Sequence, residues 1–170
     1  GTPLRTRLER GEVQSIEHEK EAAMFETVRA ELNKEGYLQY EISNFAKAGY
    51  ECAHNIVYWK NESWWPIGPS ASGHVNGRRW KNTPSINKYV QGDSLPTVRD
   101  VELLSPDGSA GESFMLGLRM LNGMEEAWVR RLVKQSNNGW REGVLNKYIE
   151  EGFLHWQGGN LAFTSNGLRF

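Results

Sequence analysis

The spacing of apolar residues changes period near the start of the chain. Between Ser15 and Gly36, Met24, Val28 and Leu32 fall at i, i+4 and i+8, and Phe25 widens the stripe. That spacing predicts an amphipathic helix. Ser15 is placed to cap its free N–H groups, Glu17 and Glu19 suit its first turn, and Gly36 suits its end. Over "YLQYEI" the period drops to two. Leu38, Tyr40 and Ile42 are expected on one face of a strand and Tyr37, Gln39 and Glu41 on the other.

Residues 43–82 lose both periods and read as a long irregular, aromatic segment with Gly49, Gly68, Gly73 and Gly77 and with Pro66 and Pro69. Long segments of that kind in compact domains tend to carry function. Thr83-Pro84 then opens a short expected helix, with Ile86, Tyr89 and Val90 inward and Gly92 as its stop. "GDSLPTVRD" reads as a linker. Beyond it, helices are expected over about Pro106–Leu121 (Phe114, Met115 and Leu118 inward), Glu125–Val133 (anchored by Trp128 and Leu132) and Trp140–Glu151 (Val144, Leu145, Tyr148 and Ile149 on one side). Gly123, the turn "SNNG" and Gly152 separate them. "FLHW", "QGGN" and "LAFT" read as strand, tight turn, strand. Three helices followed by a hairpin predict a small α+β winged-helix-like domain. Two units are therefore expected, an α/β piece over 1–98 and the winged-helix-like domain over 99–170.

Composition narrows the function class. Twenty Lys and Arg against 21 Asp and Glu leave a net charge of −1, which does not favour a nucleic-acid or membrane partner held by bulk charge. No apolar run approaches the roughly 18 residues of a membrane span, and no signal-peptide pattern opens the chain. One cysteine allows no intrachain disulfide, so a reducing, cytoplasmic setting is expected. "GTPLRTRLERGEV" starts without a methionine, and a processed or excised start is expected.

The chemistry concentrates in "ECAHNIVYWKNESWW". It holds the only cysteine, one of four histidines and three of seven tryptophans. Cys52 and His54 form a Cys-x-His pair, but structural zinc takes four ligands and no second pair lies nearby. A thiol and an imidazole could serve nucleophilic catalysis. A single imidazole could ligate haem iron with Tyr58, Trp59, Trp64 and Trp65 as an aromatic cradle. A half-buried histidine among core aromatics remains the plain alternative. Downstream, "PIGPSASGHVNGRRW" lets backbone approach a ligand closely, although it is neither a P-loop nor a dinucleotide fingerprint. Arg78 and Arg79 could meet carboxylates or phosphates, or stand as a solvated pair. The third C-terminal helix could enter DNA, with Arg141 and Lys147 on it. Residues 101–170 carry seven Lys and Arg against eight Asp and Glu, which speaks against that reading.

"YEISNFAKAGYECAHNIVYW" followed by "GPSASGHVNGRRWKN" resembles the C-terminal part of the oxygen-independent coproporphyrinogen III oxidase-like proteins, the HemN/HemW family of radical SAM proteins. "GTPLRTRLERGE" is similar to a segment after a mid-barrel strand of that family, and "GFLHWQGGNLAFTSNG" to its C-terminal pattern. The resemblance implies the C-terminal portion of a (β/α) barrel over 1–98 and the family's winged-helix-like domain over 99–170. It also identifies His54-Asn55-Ile56-Val57-Tyr58-Trp59 as the His-Asn-x-x-Tyr-Trp motif of the HemW-like haem-chaperone branch.

By that resemblance His54 is the expected ligand of haem iron, with Asn55, Tyr58 and Trp59 around the macrocycle and Arg78 or Arg79 on its propionates. Ser70, Ala71 and Ser72 are expected to lie on the S-adenosylmethionine side. The chain departs from the family at Ala53, where Arg is commoner, and in reading "SASGH" where Gly-Ala-His-Ser is common. The family's [4Fe–4S] cluster needs three cysteines in a Cys-x-x-x-Cys-x-x-Cys motif, and one cysteine cannot hold it. The chain is therefore expected to be a C-terminal fragment, inactive alone, whose partners are haem or porphyrin, a haem-accepting protein and its own missing N-terminal half. The resemblance implies a haem chaperone. The alternatives are an oxygen-independent coproporphyrinogen III dehydrogenase, which converts two propionates to vinyls, and a nucleic-acid-binding winged helix.

Overall fold

A computed structural model describes residues 2–91, 97–136 and 139–169. The expected stop at Gly92, most of the expected linker and the Asn137-Asn138 turn lie outside the described residues. Helix α1 (Pro3–Glu9) is capped by Thr2, whose hydroxyl accepts from the Arg5 N–H at 3.3 Å. Helix α2 (His18–Lys34) starts three residues after the expected cap, because Ser15 turns its hydroxyl to the Ile16 carbonyl instead. Gly36, at φ +79°, closes its C-terminus.

The α2 stripe is present but uncovered. Met24, Phe25 and Val28 are all exposed, and no described element packs over them. The next strand is shorter than expected, and burial along 37–42 does not alternate between the two expected faces. Strands β1 (Leu38–Gln39) and β2 (Phe45–Ala46) pair antiparallel. Leu38 is exposed, whereas Glu41 is fully buried. The reason is Arg119, whose Nη2 donates to the Glu41 carboxylate at 3.0 Å, while Ser43 N and Asn44 Nδ2 donate to it at 2.8 and 2.6 Å. A carboxylate with that many donors can be buried, and a leucine without an apolar neighbour cannot.

The segment expected to be irregular contains a helix, α3 (Ala53–Trp59), and a hairpin of β3 (Ser72–Val75) and β4 (Arg78–Asn82). Asn76 and Gly77 form the two-residue turn, both with positive φ (50° and 75°), as such hairpins require. Helix α4 (Ile86–Val90) is capped by Ser85 rather than opened by Pro84. Ile86 and Val90 face outward, contrary to expectation, and only Tyr89 turns in, its hydroxyl accepting from Gly68 N at 2.8 Å.

Strand β5 (Val98–Leu103) pairs antiparallel with β4 and completes a β3-β4-β5 sheet. It crosses the expected 98/99 division and takes up the last three residues of the expected linker. No closed barrel forms among the described residues; the sheets are small.

The C-terminal order of three helices and a hairpin is the expected one, although the first helix ends at Gly117 rather than Leu121 and a short strand not expected precedes the second. Helix α5 (Pro106–Gly117), strand β6 (Met124–Glu125), helices α6 (Glu126–Lys134) and α7 (Trp140–Glu150), and strands β7 (Leu154–Gln157) and β8 (Asn160–Phe163) follow in order. The sheet order is β6-β8-β7, a winged-helix arrangement. Ala110, Phe114, Met124, Val129, Leu132, Leu154 and Leu161 form its core, with Leu118, Trp128, Leu145 and Ile149 packed against them. Met115, expected inward, is 66% exposed because it leaves α5 on the side toward β3-β4-β5. Val144 and Tyr148 are likewise more exposed than their periodicity predicts.

Candidate functional site

Helix α3 places the motif residues on two sides. His54 and Tyr58 are four apart and so share a face. The His54 Nε2 and the Tyr58 hydroxyl are 2.7 Å apart, and the rings meet edge to face with centroids at 4.6 Å. Tyr58 continues edge-on into Trp64 at 4.5 Å, and Trp64 into His74 at 4.9 Å. Two histidines twenty residues apart in sequence thus end a single row of four rings.

The row is held at its far end. Trp64 Nε1 donates to the Ser72 carbonyl at 2.9 Å, and Trp64 and His74 exchange backbone hydrogen bonds. His74 is buried, with Nδ1 at 3.0 Å from the Glu62 carbonyl. His54, at the near end, is exposed.

Trp59 points to the other side of α3. Its ring lies under the Arg119 guanidinium at 4.2 Å, a cation–π contact. Its indole Nε1 and the Arg119 Nε are both buried without a hydrogen-bond partner. Asn55 is half-buried between these two sides.

Tyr58 also lines a cleft of about 450 Å³ between α5 and the β3-β4-β5 sheet, together with Trp64, Arg79, Trp80, Lys81 and Met115. His54 is not among its lining residues. Arg79 makes a two-pronged ion pair with Glu112 of α5 and reaches Asn61 Oδ1 at 3.4 Å. Asn61 in turn donates to Ser113 Oγ at 3.1 Å. These four residues bind the end of α3, β4 and α5 into one polar hub. Arg79 is therefore already committed to a carboxylate of the protein, whereas Arg78 is exposed at the start of β4.

The glycine-rich loop is less free than its composition suggests. Ser70 (φ +61°) donates its N–H to the Thr83 carbonyl at 3.1 Å, the Ala71 carbonyl accepts from Asn82 N at 2.9 Å, and Ser72 begins β3. Asn82, almost fully buried, pins the loop from below by donating to the Pro66 and Gly68 carbonyls at 3.1 and 3.0 Å. The Ser70 and Ser72 side chains remain exposed.

Cys52 precedes α3 as an exposed free thiol. Among the described residues no three His, Cys, Asp or Glu side chains converge as a metal site would need. The donor set at α3 is instead one imidazole and one phenol beside aromatic rings, which fits a haem iron better than a tetrahedral zinc. On α7, Arg141 is turned inward, donating to the Asp107 carbonyl at 2.6 Å, and Lys147 lies 3.8 Å from Glu151. Arg141 is thereby engaged within the fold, whereas Lys147 remains exposed. No helix among the described residues is long and apolar enough to cross a membrane.

Of the residues singled out in the sequence, Tyr58 and Arg79 line the cleft, and His54 and Trp59 do not. Glu41, Asn82, Glu112 and Arg119 carried no sequence signal, because their partners lie far along the chain. The Asn76-Gly77 turn was a local signal for the hairpin that carries Arg79.

No family model matches the chain. It is 33% identical over 170 residues to the heme chaperone HemW of Mycobacterium tuberculosis, an alignment covering 98% of this chain and 41% of the relative. It is 31% identical over 162 residues to the heme chaperone HemW of Bacillus subtilis (94% and 43% covered), and 38% identical over 125 residues to that of Lactococcus lactis (72% and 32% covered). The chain spans less than half the length of these relatives and matches their C-terminal portion. Among solved structures, the coproporphyrinogen III oxidase HemN of Escherichia coli, described as a radical SAM enzyme, superposes with a TM-score of 0.59 over 85% of this chain and 37% of that one. At 13% identity that likeness is one of fold.

Proposed function

As a homologue of the C-terminal part of the HemN/HemW family, this chain is, we propose, the haem-binding portion of a HemW-type haem chaperone. Haem is its cargo, passed on to a haem-accepting protein. The observation that carries the reading is the His54–Tyr58 pair at 2.7 Å, with Tyr58 lining a cleft that mixes the rings of Trp64 and Trp80 with the charged Lys81, Asp100 and Glu102. Imidazole and phenol are both haem-iron ligands, and Tyr58, Trp64 and Trp80 offer ring surface for a flat macrocycle. Arg78 is free to meet a propionate; Arg79 would first have to leave Glu112. Trp59 is engaged under Arg119, and neither Trp59 nor Asn55 lines the cleft.

The family's [4Fe–4S] cluster and S-adenosylmethionine would bind outside these residues, since the sequence has one cysteine. When bound, they supply radical chemistry to the parent protein. Ser70, Ala71 and Ser72 are proposed to border that half. The uncovered face of Met24, Phe25 and Val28 is proposed to pack against it, because apolar area of this extent on a helix is costly to leave in water. Coproporphyrinogen oxidation has less support, resting on a likeness of fold to HemN alone.

The test is titration of ferric haem into the chain, followed by the Soret band and by size-exclusion chromatography. Saturation near one haem per chain, at micromolar concentration, is expected. A haem spectrum unaltered by the protein overturns the reading.

A further inference from the structure

The position of His54 raises a difficulty for the simplest form of this reading. Its Nε2 points at the Tyr58 hydroxyl, and of the two residues it is Tyr58 that lines the cleft. With the phenol proton directed to Nε2, the oxygen keeps lone pairs free on its other side. This direction needs the His54 tautomer with its proton on Nδ1. The ring is also held in place, packed edge-on against Trp64, which is itself fixed by Ser72 and His74.

Resting on the haem-binding reading above, we propose that Tyr58, not His54, ligates ferric haem iron, and that His54 is its positioning residue. On binding, the Tyr58 O–H bond breaks, its proton passes to His54 Nε2, and an iron–oxygen bond forms. No electron changes hands. Tyrosinate is an established haem ligand. As a hard anionic oxygen it favours the ferric state, so the cargo is held more weakly once reduced. The histidine acts as the outer partner that fixes the ligand's orientation and raises its basicity, as such partners do at other metal sites.

The experiment compares the whole chain with His54→Ala, Tyr58→Phe and Tyr58→His. Each is loaded with ferric haem and read by absorption, electron paramagnetic resonance and affinity, with circular dichroism to check folding. The wild type is expected to give a high-spin, tyrosinate-type ferric signal. Tyr58→Phe is expected to abolish that signal and to weaken binding at least about 100-fold, and His54→Ala to keep the signal and weaken binding about tenfold. Tyr58→His is expected to restore binding with an imidazole-type spectrum. A wild-type spectrum and affinity in Tyr58→Phe, with loss of binding in His54→Ala, overturns tyrosine ligation and leaves haem binding standing. Failure of a folded Tyr58→His to restore binding overturns it too. Absence of any bound-haem spectrum in the wild type overturns both.

Discussion

Arg119 lies over the ring of Trp59 at 4.2 Å while donating to the buried carboxylate of Glu41 at 3.0 Å. The last residue of the motif helix is thereby tied to a chain segment far before it and to the turn that ends α5. Removing Arg119 would leave Glu41 buried with two neutral donors and no cation. Breaking a buried pair costs several kcal/mol, and Arg119 is partly exposed, so Arg119→Ala is expected to destabilise the fold by about 2–4 kcal/mol. Arg119→Lys is expected to recover part of that, keeping the charge but losing the planar stack. Urea unfolding checks both. Equal stability of Arg119→Ala and wild type would contradict the assignment.

Arg79 and Glu112 join the β3-β4-β5 sheet to α5 across the floor of the cleft. Both are mostly buried, and the pair is two-pronged, so its coupling exceeds that of a surface ion pair. A double-mutant cycle of Arg79→Met and Glu112→Gln is expected to give about 1–3 kcal/mol of coupling. A coupling near zero would mean that the pair does not hold these elements together.

Gly73 and Gly77 separate two reasons for a glycine on one hairpin. A Cβ on Gly73 would sit 2.5 Å from Pro66 Cδ and 2.9 Å from Trp80, with no room to yield. Gly73→Ala is expected to cost about 1–3 kcal/mol through overpacking. Gly77 has open space but φ of +75°, and Gly77→Ala is expected to cost about 1–2 kcal/mol from backbone strain alone. Because Gly73 lines the cleft and Gly77 does not, only the first is expected to change haem affinity. Thermal melts and haem titration of the two variants separate these effects.

The C-terminal domain was the most legible part of the sequence. Its helices have caps and breaks at Ser105, Gly123 and Gly152, and the "QGGN" turn sets its hairpin, so local signals agree with the packing. The α2 stripe of Met24, Phe25 and Val28 was equally legible as a pattern, but no described residue covers it. The burial of Glu41 in the segment 37–42 was not legible, because the partner that permits it lies 78 residues away. Helix α3 was missed because it has seven residues, no side-chain cap and an aromatic composition. Within the site, the His54–Tyr58 spacing was visible once a helix is assumed. The row through Trp64 to His74, and the capture of Arg79 by Glu112, depend on the hairpin and on α5 and have no local signature.

The most direct test of the central claim is ferric haem binding by the double variant His54→Ala/Tyr58→Phe beside wild type. Trp140→Ala, altered at the winged-helix domain, serves as a control. If α3 is the haem-binding element, the double variant loses the bound Soret spectrum while its far-ultraviolet circular dichroism is unchanged, and Trp140→Ala binds as wild type does. A double variant that binds haem with wild-type affinity and spectrum would contradict the account.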